Sequence, residues 1–198
     1  MNRKTDDFHE NVTGVILAGG QSRRMGTDKP RIEVGGSTMF DSILKVMKKV
    51  FKTVIISGDR PDLAGKELRY YKDIYPGSAL GGLFTALNHS ETPFIFCSSS
   101  DIPFPDERIV RLLLSHRKGY DAVVPKKPGA FEPLFAVYHK NCLKFMKEML
   151  DNNEFRIYDF YPKANVRYVG IDELPEGWER SLTNINTPKE LKQIKEIL

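Results

Sequence analysis

The sequence predicts an α/β protein: a single-domain, Rossmann-like three-layer sandwich around a mostly parallel central sheet. Three observations predict it. Short apolar, β-branched runs recur along the chain; helix-length amphipathic stretches separate them; and the first run stops at a pair of glycines followed by a basic segment. Strands joined by helical crossovers form parallel sheets with helices on both faces. Ligands of such sheets bind outside the carboxyl ends of the strands.

Residues 12–17, VTGVIL, read as a buried strand ended by Gly19 and Gly20. Residues 40–51 carry apolar side chains at Ile43, Leu44, Val46, Met47 and Val50 with lysines between them, the pattern of a helix. Residues 53–57 read as a second strand stopped by Gly58-Asp59, and residues 69–72 as a short third. A helix over 80–88 and a strongly apolar strand over 93–97 follow. Then come a helix over 109–116, a strand over 122–124 before a turn-rich 125–129, a strand over 134–138 and a helix over 142–150. Residues 166–171 read as an edge strand. The last helix opens at Thr187 as N-cap with Pro188 in its first turn.

The 198 residues fit one domain, 1–198, with residues 1–11 as a flexible polar extension. Hydrophobic residues at 40% and charged residues at 28% suit a soluble globular chain. The amino end lacks the apolar core of a signal peptide, and no run is long enough for a membrane span, so a cytoplasmic location is expected. The two cysteines, Cys97 and Cys142, sit in apolar surroundings and read as buried thiols of a reducing compartment. A net charge of +4 is too small and dispersed for a nucleic-acid partner but suits a small polyanion. The four histidines show no metal-ligand spacing.

The densest chemical signal is LAGGQSRRMGTDK, residues 17–29. Adjacent glycines let backbone N–H groups approach a ligand, and Arg23, Arg24 and Lys29 follow within ten residues. Amide donors with fixed cations are what a triphosphate requires. The segment matches neither the Walker A pattern nor G-x-G-x-x-G. A plain reading, a glycine turn before a solvated basic loop, stands beside the functional one. Likewise Asp101, just past an apolar strand in SSSDIP, suits a Mg²⁺ ion, which takes one or two carboxylates. It would also suit a turn before Pro103.

The 17–29 segment resembles the signature of the molybdenum cofactor guanylyltransferases, within the α/β nucleotidyltransferase superfamily. Asp73 with Gly77 and Gly81-Gly82, Ser100-Asp101-Ile102-Pro103, EPLFAVY at 132–138 and TNINTP at 183–188 agree with it in order along the chain. The resemblance implies transfer of GMP from GTP to the terminal phosphate of molybdenum-molybdopterin, with release of pyrophosphate. It implies Mg²⁺ as cofactor, with Mn²⁺ as a substitute, and Asp101 as the metal ligand. Lys29, Asp101 and Arg24 become the catalytic set. Leu17, Ala18, Gly19, Gly20, Lys29, Ser57, Asp73 and Asp101 become nucleotide contacts, although relatives carry Asn where Ser57 stands.

The resemblance assigns Asn184 and Asn186 to the acceptor side; as plain punctuation they would be a helix-entry loop. GTP and molybdopterin are the implied partners, with other cofactor-biosynthesis proteins and molybdoenzyme chaperones as further candidates. Trp178 and the aromatic stretch 158–161 could line a pterin pocket or pack a core. The rival readings are a cytidylyl- or sugar-phosphate nucleotidyltransferase, and a non-catalytic nucleotide or cofactor carrier.

Overall fold

The computed structural model describes residues 11–19, 28–185 and 187–197. Its chain order is β1 (Val12–Leu17), a 3-10 turn (Lys29–Arg31), the hairpin strands β2 (Glu33–Val34) and β3 (Ser37–Thr38), and helix α1 (Met39–Val50). Then come β4 (Val54–Ser57), α2 (Pro61–Ala64), β5 (Arg69–Tyr71), α3 (Ala79–His89), β6 (Phe94–Ser99) and α4 (Glu107–Ser115). The hairpin β7 (Ala122–Lys127) and β8 (Ala130–Phe131) leads to β9 (Phe135–His139), a 3-10 turn (Lys140–Cys142) and α5 (Leu143–Asp151). A longer 3-10 segment (Ile157–Lys163), β10 (Val166–Gly170), α6 (Trp178–Ser181) and α7 (Pro188–Ile197) complete it.

The main sheet runs β10-β7-β9-β6-β1-β4-β5, with β8 paired to β7. The pairs β1–β4, β1–β6, β4–β5 and β7–β10 are parallel, whereas β9 lies antiparallel between β6 and β7. All six residues of β1 are buried, as the centre of a sheet covered on both faces demands. Ile43, Met47 and Val50 of α1 and Ile109, Val110, Leu113 and Leu114 of α4 cover one face. Leu80, Leu83 and Leu87 of α3 and Met146, Met149 and Leu150 of α5 cover the other. The three layers of the predicted sandwich are therefore present.

Local chemistry sets the element ends. Thr38 caps α1 by accepting from the Asp41 N–H at 3.0 Å, and Asp106 caps α4 by accepting from the Arg108 N–H at 2.8 Å. Thr187 and Glu190 form a reciprocal box, Oγ1 accepting from the Glu190 N–H at 3.2 Å and Oε2 from the Thr187 N–H at 3.1 Å.

The turn expected at 125–129 is largely strand, because β7 continues to Lys127. Pro125 falls between the last pair with β9, Val123 with Val137, and the first with β8, Lys126 with Phe131. A residue without an N–H is tolerated where the strand changes partner. Of the aromatic stretch, Phe160 and Tyr161 are core, and the Tyr161 hydroxyl meets that of Tyr138 at 2.9 Å. Trp178 packs partly buried against the α1–α4 side of the core.

The chain leaves β1, builds β4 and β5 outward on one side, and returns to place β6 on the other. The crevice of such a sheet opens where the order reverses. Here that point is the carboxyl end of β1.

Candidate active site

The main chain after β1 is clamped from both sides. The Ala18 N–H donates to the Ser57 carbonyl at 2.9 Å, and the Ser100 N–H donates to the Leu17 carbonyl at 3.1 Å. Those two bonds bring the ends of β4, β1 and β6 together, and Leu17, Ala18, Gly19, Ser57 and Asp101 with them. Gly19 is the exposed tip of this arrangement. A Cβ there would lie 2.7 Å from Asp73 Oδ2. Gly58, at φ +128°, supports it from beneath; a Cβ on Gly58 would stand 2.6 Å from the Gly19 nitrogen. Two bare backbones thus meet where any side chain would collide, which is the physical use of glycine at a close approach.

On the β4 side, Ser57 is buried and its one hydroxyl proton is shared between the Gly82 carbonyl at 2.8 Å and Asp73 Oδ1 at 3.1 Å. The Ser57 hydroxyl therefore faces Asp73 and α3, and its role is to hold that carboxylate. The Asp73 loop is tied to α3, since the Ile74 N–H donates to Thr85 Oγ1 at 2.8 Å. A Cβ on Gly81 would come within 1.8 Å of the Tyr75 carbonyl, so only glycine lets the helix pass beneath this loop. Burial pushes the Asp73 carboxyl above its usual range, and the Ser57 hydrogen bond opposes that shift.

On the β6 side, Asp101 follows the turn after Ser99. The Ser99 hydroxyl donates to Asp101 Oδ1 at 2.6 Å, and Lys29 Nζ lies 3.6 Å from Asp101 Oδ2. Both charged side chains are mostly covered, 17% and 19% exposed, so their attraction is screened less than that of a surface pair. The Ile185 N–H donates to the Asp101 carbonyl at 3.2 Å, drawing the 183–185 segment alongside. Asn184 Oδ1 is buried and, among the described residues, has no hydrogen-bond partner, an acceptor left over next to this turn.

The structure brings together Leu17, Ala18, Gly19, Lys29, Ser57, Asp73, Asp101 and the segment of Asn184. Gly20, Arg23, Arg24, Asn186 and residues 1–10 lie outside the described residues. Sequence reasoning assigned no site role to Ser99 or Gly58, and named Gly82 only within the segment that carries the resemblance. The serine run 98–100 and the glycine that stops β4 were the available signals.

The oxygens shown at Asp101 are hard ones, its own carboxylate and the Ser99 hydroxyl, and the Asn184 amide oxygen belongs to the segment that Ile185 ties to the Asp101 carbonyl. That set fits a hard divalent ion, which binds one or two protein carboxylates and otherwise water and phosphate. Among the described residues no group of three His, Cys, Asp or Glu is placed to hold a metal ion. No described helix is long and apolar enough to cross a membrane.

Known proteins resemble this chain over most of its length. Residues 14–164 match the family model of the MobA-like NTP transferase domain. The chain is 37% identical over 184 residues to a protein of Pelotomaculum thermopropionicum named "Probable molybdenum cofactor guanylyltransferase", covering 91% of this chain and 90% of that one. A protein of the same name from Natranaerobius thermophilus is 32% identical over 199 residues, covering 96% and 97%. The crystal structure of molybdopterin-guanine dinucleotide biosynthesis protein A from Archaeoglobus fulgidus superposes with a TM-score of 0.81 at 24% identity. It covers 93% of this chain and 97% of that one, and shows the same fold. The matched model spans the glycine tip, Asp73 and the Lys29–Asp101 pair, and the chain belongs to the MobA-like NTP transferase family.

Proposed function

We propose that this protein transfers GMP from GTP to the terminal phosphate of molybdenum-molybdopterin, releasing pyrophosphate, with Mg²⁺ held at Asp101. The observation that carries the reading is the pairing of Lys29 with Asp101 beside a bare glycine main chain at the sheet's switch point. The names of the relatives support the choice of substrates.

An oxygen of the acceptor phosphate attacks the α-phosphorus, and the bond to the bridging oxygen of pyrophosphate breaks. A phosphate monoester is already an anionic nucleophile, so no protein base is needed. The protein's part is position and charge. Lys29 balances the charge that builds on the α-phosphate and the leaving group, while the main chain at Ala18–Gly19 admits the nucleotide without a side chain in the way. The metal ion, when bound, supplies Lewis-acid neutralisation of phosphate oxygens. Asp101 would anchor it, with the Ser99 hydroxyl fixing one carboxylate oxygen while the other faces Lys29.

Asp73 suits the base. A carboxylate accepts two N–H groups side by side, and guanine presents N1–H and the 2-amino group on one edge, whereas cytosine presents one amino group there. The 183–185 segment with Asn184 borders Asp101 from the acceptor side. Cys97 and Cys142 are free, buried thiols, which fits a reducing compartment such as the cytoplasm.

The test is turnover of the purified protein with molybdopterin and either GTP or CTP, with and without Mg²⁺, reading pyrophosphate and dinucleotide product. Faster use of GTP and dependence on the metal are expected. Faster use of CTP would move the protein to the cytidylyl class, and undiminished turnover in chelator would remove the metal from the scheme.

A further inference from the structure

Lys29 has an awkward neighbour. Asp28 immediately precedes it, and a carboxylate beside a polyanion site repels the ligand and competes for the lysine. Two arginines answer it. Arg60 donates to Asp28 through both terminal nitrogens, Nη1 to Oδ1 at 2.9 Å and Nη2 to Oδ2 at 2.6 Å, the fork geometry that suits a carboxylate best. Arg31 Nε lies 3.2 Å from Asp28 Oδ2.

The same two arginines close a ring through Asp62. Arg60 Nε and Nη2 reach it at 2.9 Å each, and Arg31 Nη2 reaches it at 2.8 Å. Two guanidiniums and two carboxylates cancel. Arg60 is the covered member, 20% exposed against 57% for Arg31. It stands at the N-cap of α2, in the loop after β4 that also carries Gly58. The ring therefore ties the 3-10 turn bearing Lys29 to the loop that supports the glycine tip.

We propose that Arg60 is a positioning residue: by neutralising Asp28 it keeps the Lys29 ammonium available to the phosphates of the nucleotide. The inference rests on the reading of Lys29 as a phosphate ligand. It goes beyond that reading by assigning a role to a residue 31 positions away in sequence. Without Arg60 the ring carries one net negative charge next to Lys29, which both repels the triphosphate and draws the ammonium sideways.

The experiment is equilibrium binding of Mg·GTP and of inorganic tripolyphosphate with Mg²⁺ to the full chain, in wild type, Arg60→Ala, Asp28→Asn and the double variant. Arg60→Ala should weaken both ligands by about tenfold, the scale of one lost charge-assisted contact. Asp28→Asn should leave both affinities unchanged or slightly tighter, because it removes the repelling carboxylate, and Arg60→Ala should cost almost nothing once Asp28 is Asn. If Asp28→Asn costs as much as Arg60→Ala, the ring is only a mechanical clip and the proposal falls. Additive losses, or a loss confined to GTP, overturn it equally.

Should Arg60→Ala fail to fold, Arg60→Lys decides. It keeps the charge without the fork and should retain most affinity, with a steeper loss on added salt; binding reduced tenfold or more at low salt rejects the neutralisation argument. Wild-type protein that binds neither ligand would instead refute the transferase reading itself, and the inference with it.

Discussion

Two carboxylates at the same sheet edge are held in the same way and surrounded differently. Ser57 ends β4 and donates its hydroxyl to Asp73; Ser99 ends β6 and donates its hydroxyl to Asp101. In each case a residue at the end of a parallel strand fixes one oxygen of a carboxylate on a neighbouring loop. The surroundings then diverge. Asp73 leans over Gly19 and Gly82, is half-buried, and is raised in pKa by that burial. Asp101 faces the Lys29 ammonium. A carboxylate among neutral backbone is suited to take N–H donors, and one that already faces a cation is suited to work among charges. On the proposed reading, one sheet edge offers separate chemistry for a base and for its phosphates.

The sharpest way to break that division is Asp101→Ala. The proposed transfer should slow by about 100- to 1,000-fold, the cost typical of removing one preorganised charged group. Because Lys29 is mostly covered and the Ser99 hydroxyl loses its acceptor, the melting temperature should also fall, by about 2 to 4 °C, the scale of roughly 1 kcal/mol in a chain of this size. Turnover and thermal melts on the same preparation check both halves. Retained turnover would place the metal elsewhere and turn Asp101 back into an ordinary turn residue; a carrier protein would likewise keep delivering cofactor.

Gly19→Ala attacks the other carboxylate. The new Cβ would lie 2.7 Å from Asp73 Oδ2, so the side chain or the tip must move. The affinity for GTP should fall by about tenfold, an overpacking cost of one to two kcal/mol expressed in binding. Tripolyphosphate binding with Mg²⁺ should fall less, since Lys29 and Asp101 lie on the far side of the tip. Isothermal titration of both ligands makes the comparison. Equal losses would mean that the two regions act as one.

Much of this was legible before any coordinates. The alternation of apolar runs with amphipathic stretches made the layers legible, because burial on both faces favours Val, Ile and Leu, four of the six residues of β1. The glycine pair and Asp101 stood out because each lies just past a buried run, where a parallel sheet puts its ligands. What stayed hidden depends on contacts distant in sequence. Nothing near Ser57 announces that its hydroxyl faces a carboxylate 16 residues on. Nothing near Asp28 announces the guanidinium 32 residues on. Pro125 reads locally as a turn, and only the change of partner strand around it makes it strand. Propensity sees the residue, whereas pairing decides its use.

The finest test of the division is Ser57→Ala, read against pH. Burial raises the Asp73 carboxyl and the Ser57 hydroxyl lowers it, so losing the hydroxyl should raise it further. A protonated Asp73 accepts fewer hydrogen bonds, so GTP binding should weaken as pH falls through the folded-state value. In the variant that weakening should begin at higher pH. The sign for stability is the reverse: a carboxyl raised by burial favours the folded state as it protonates, so the variant should recover stability relative to wild type as pH falls. At neutral pH the affinity loss should be only a few-fold, the worth of one hydrogen bond to a charged group shared with a carbonyl. GTP affinity titrated across pH for wild type and variant isolates the effect, because the nucleotide's own ionisation is common to both. Superimposable profiles would show that Asp73 does not meet the base as an anion, and guanine selection would then fall to the main chain at Leu17–Gly19.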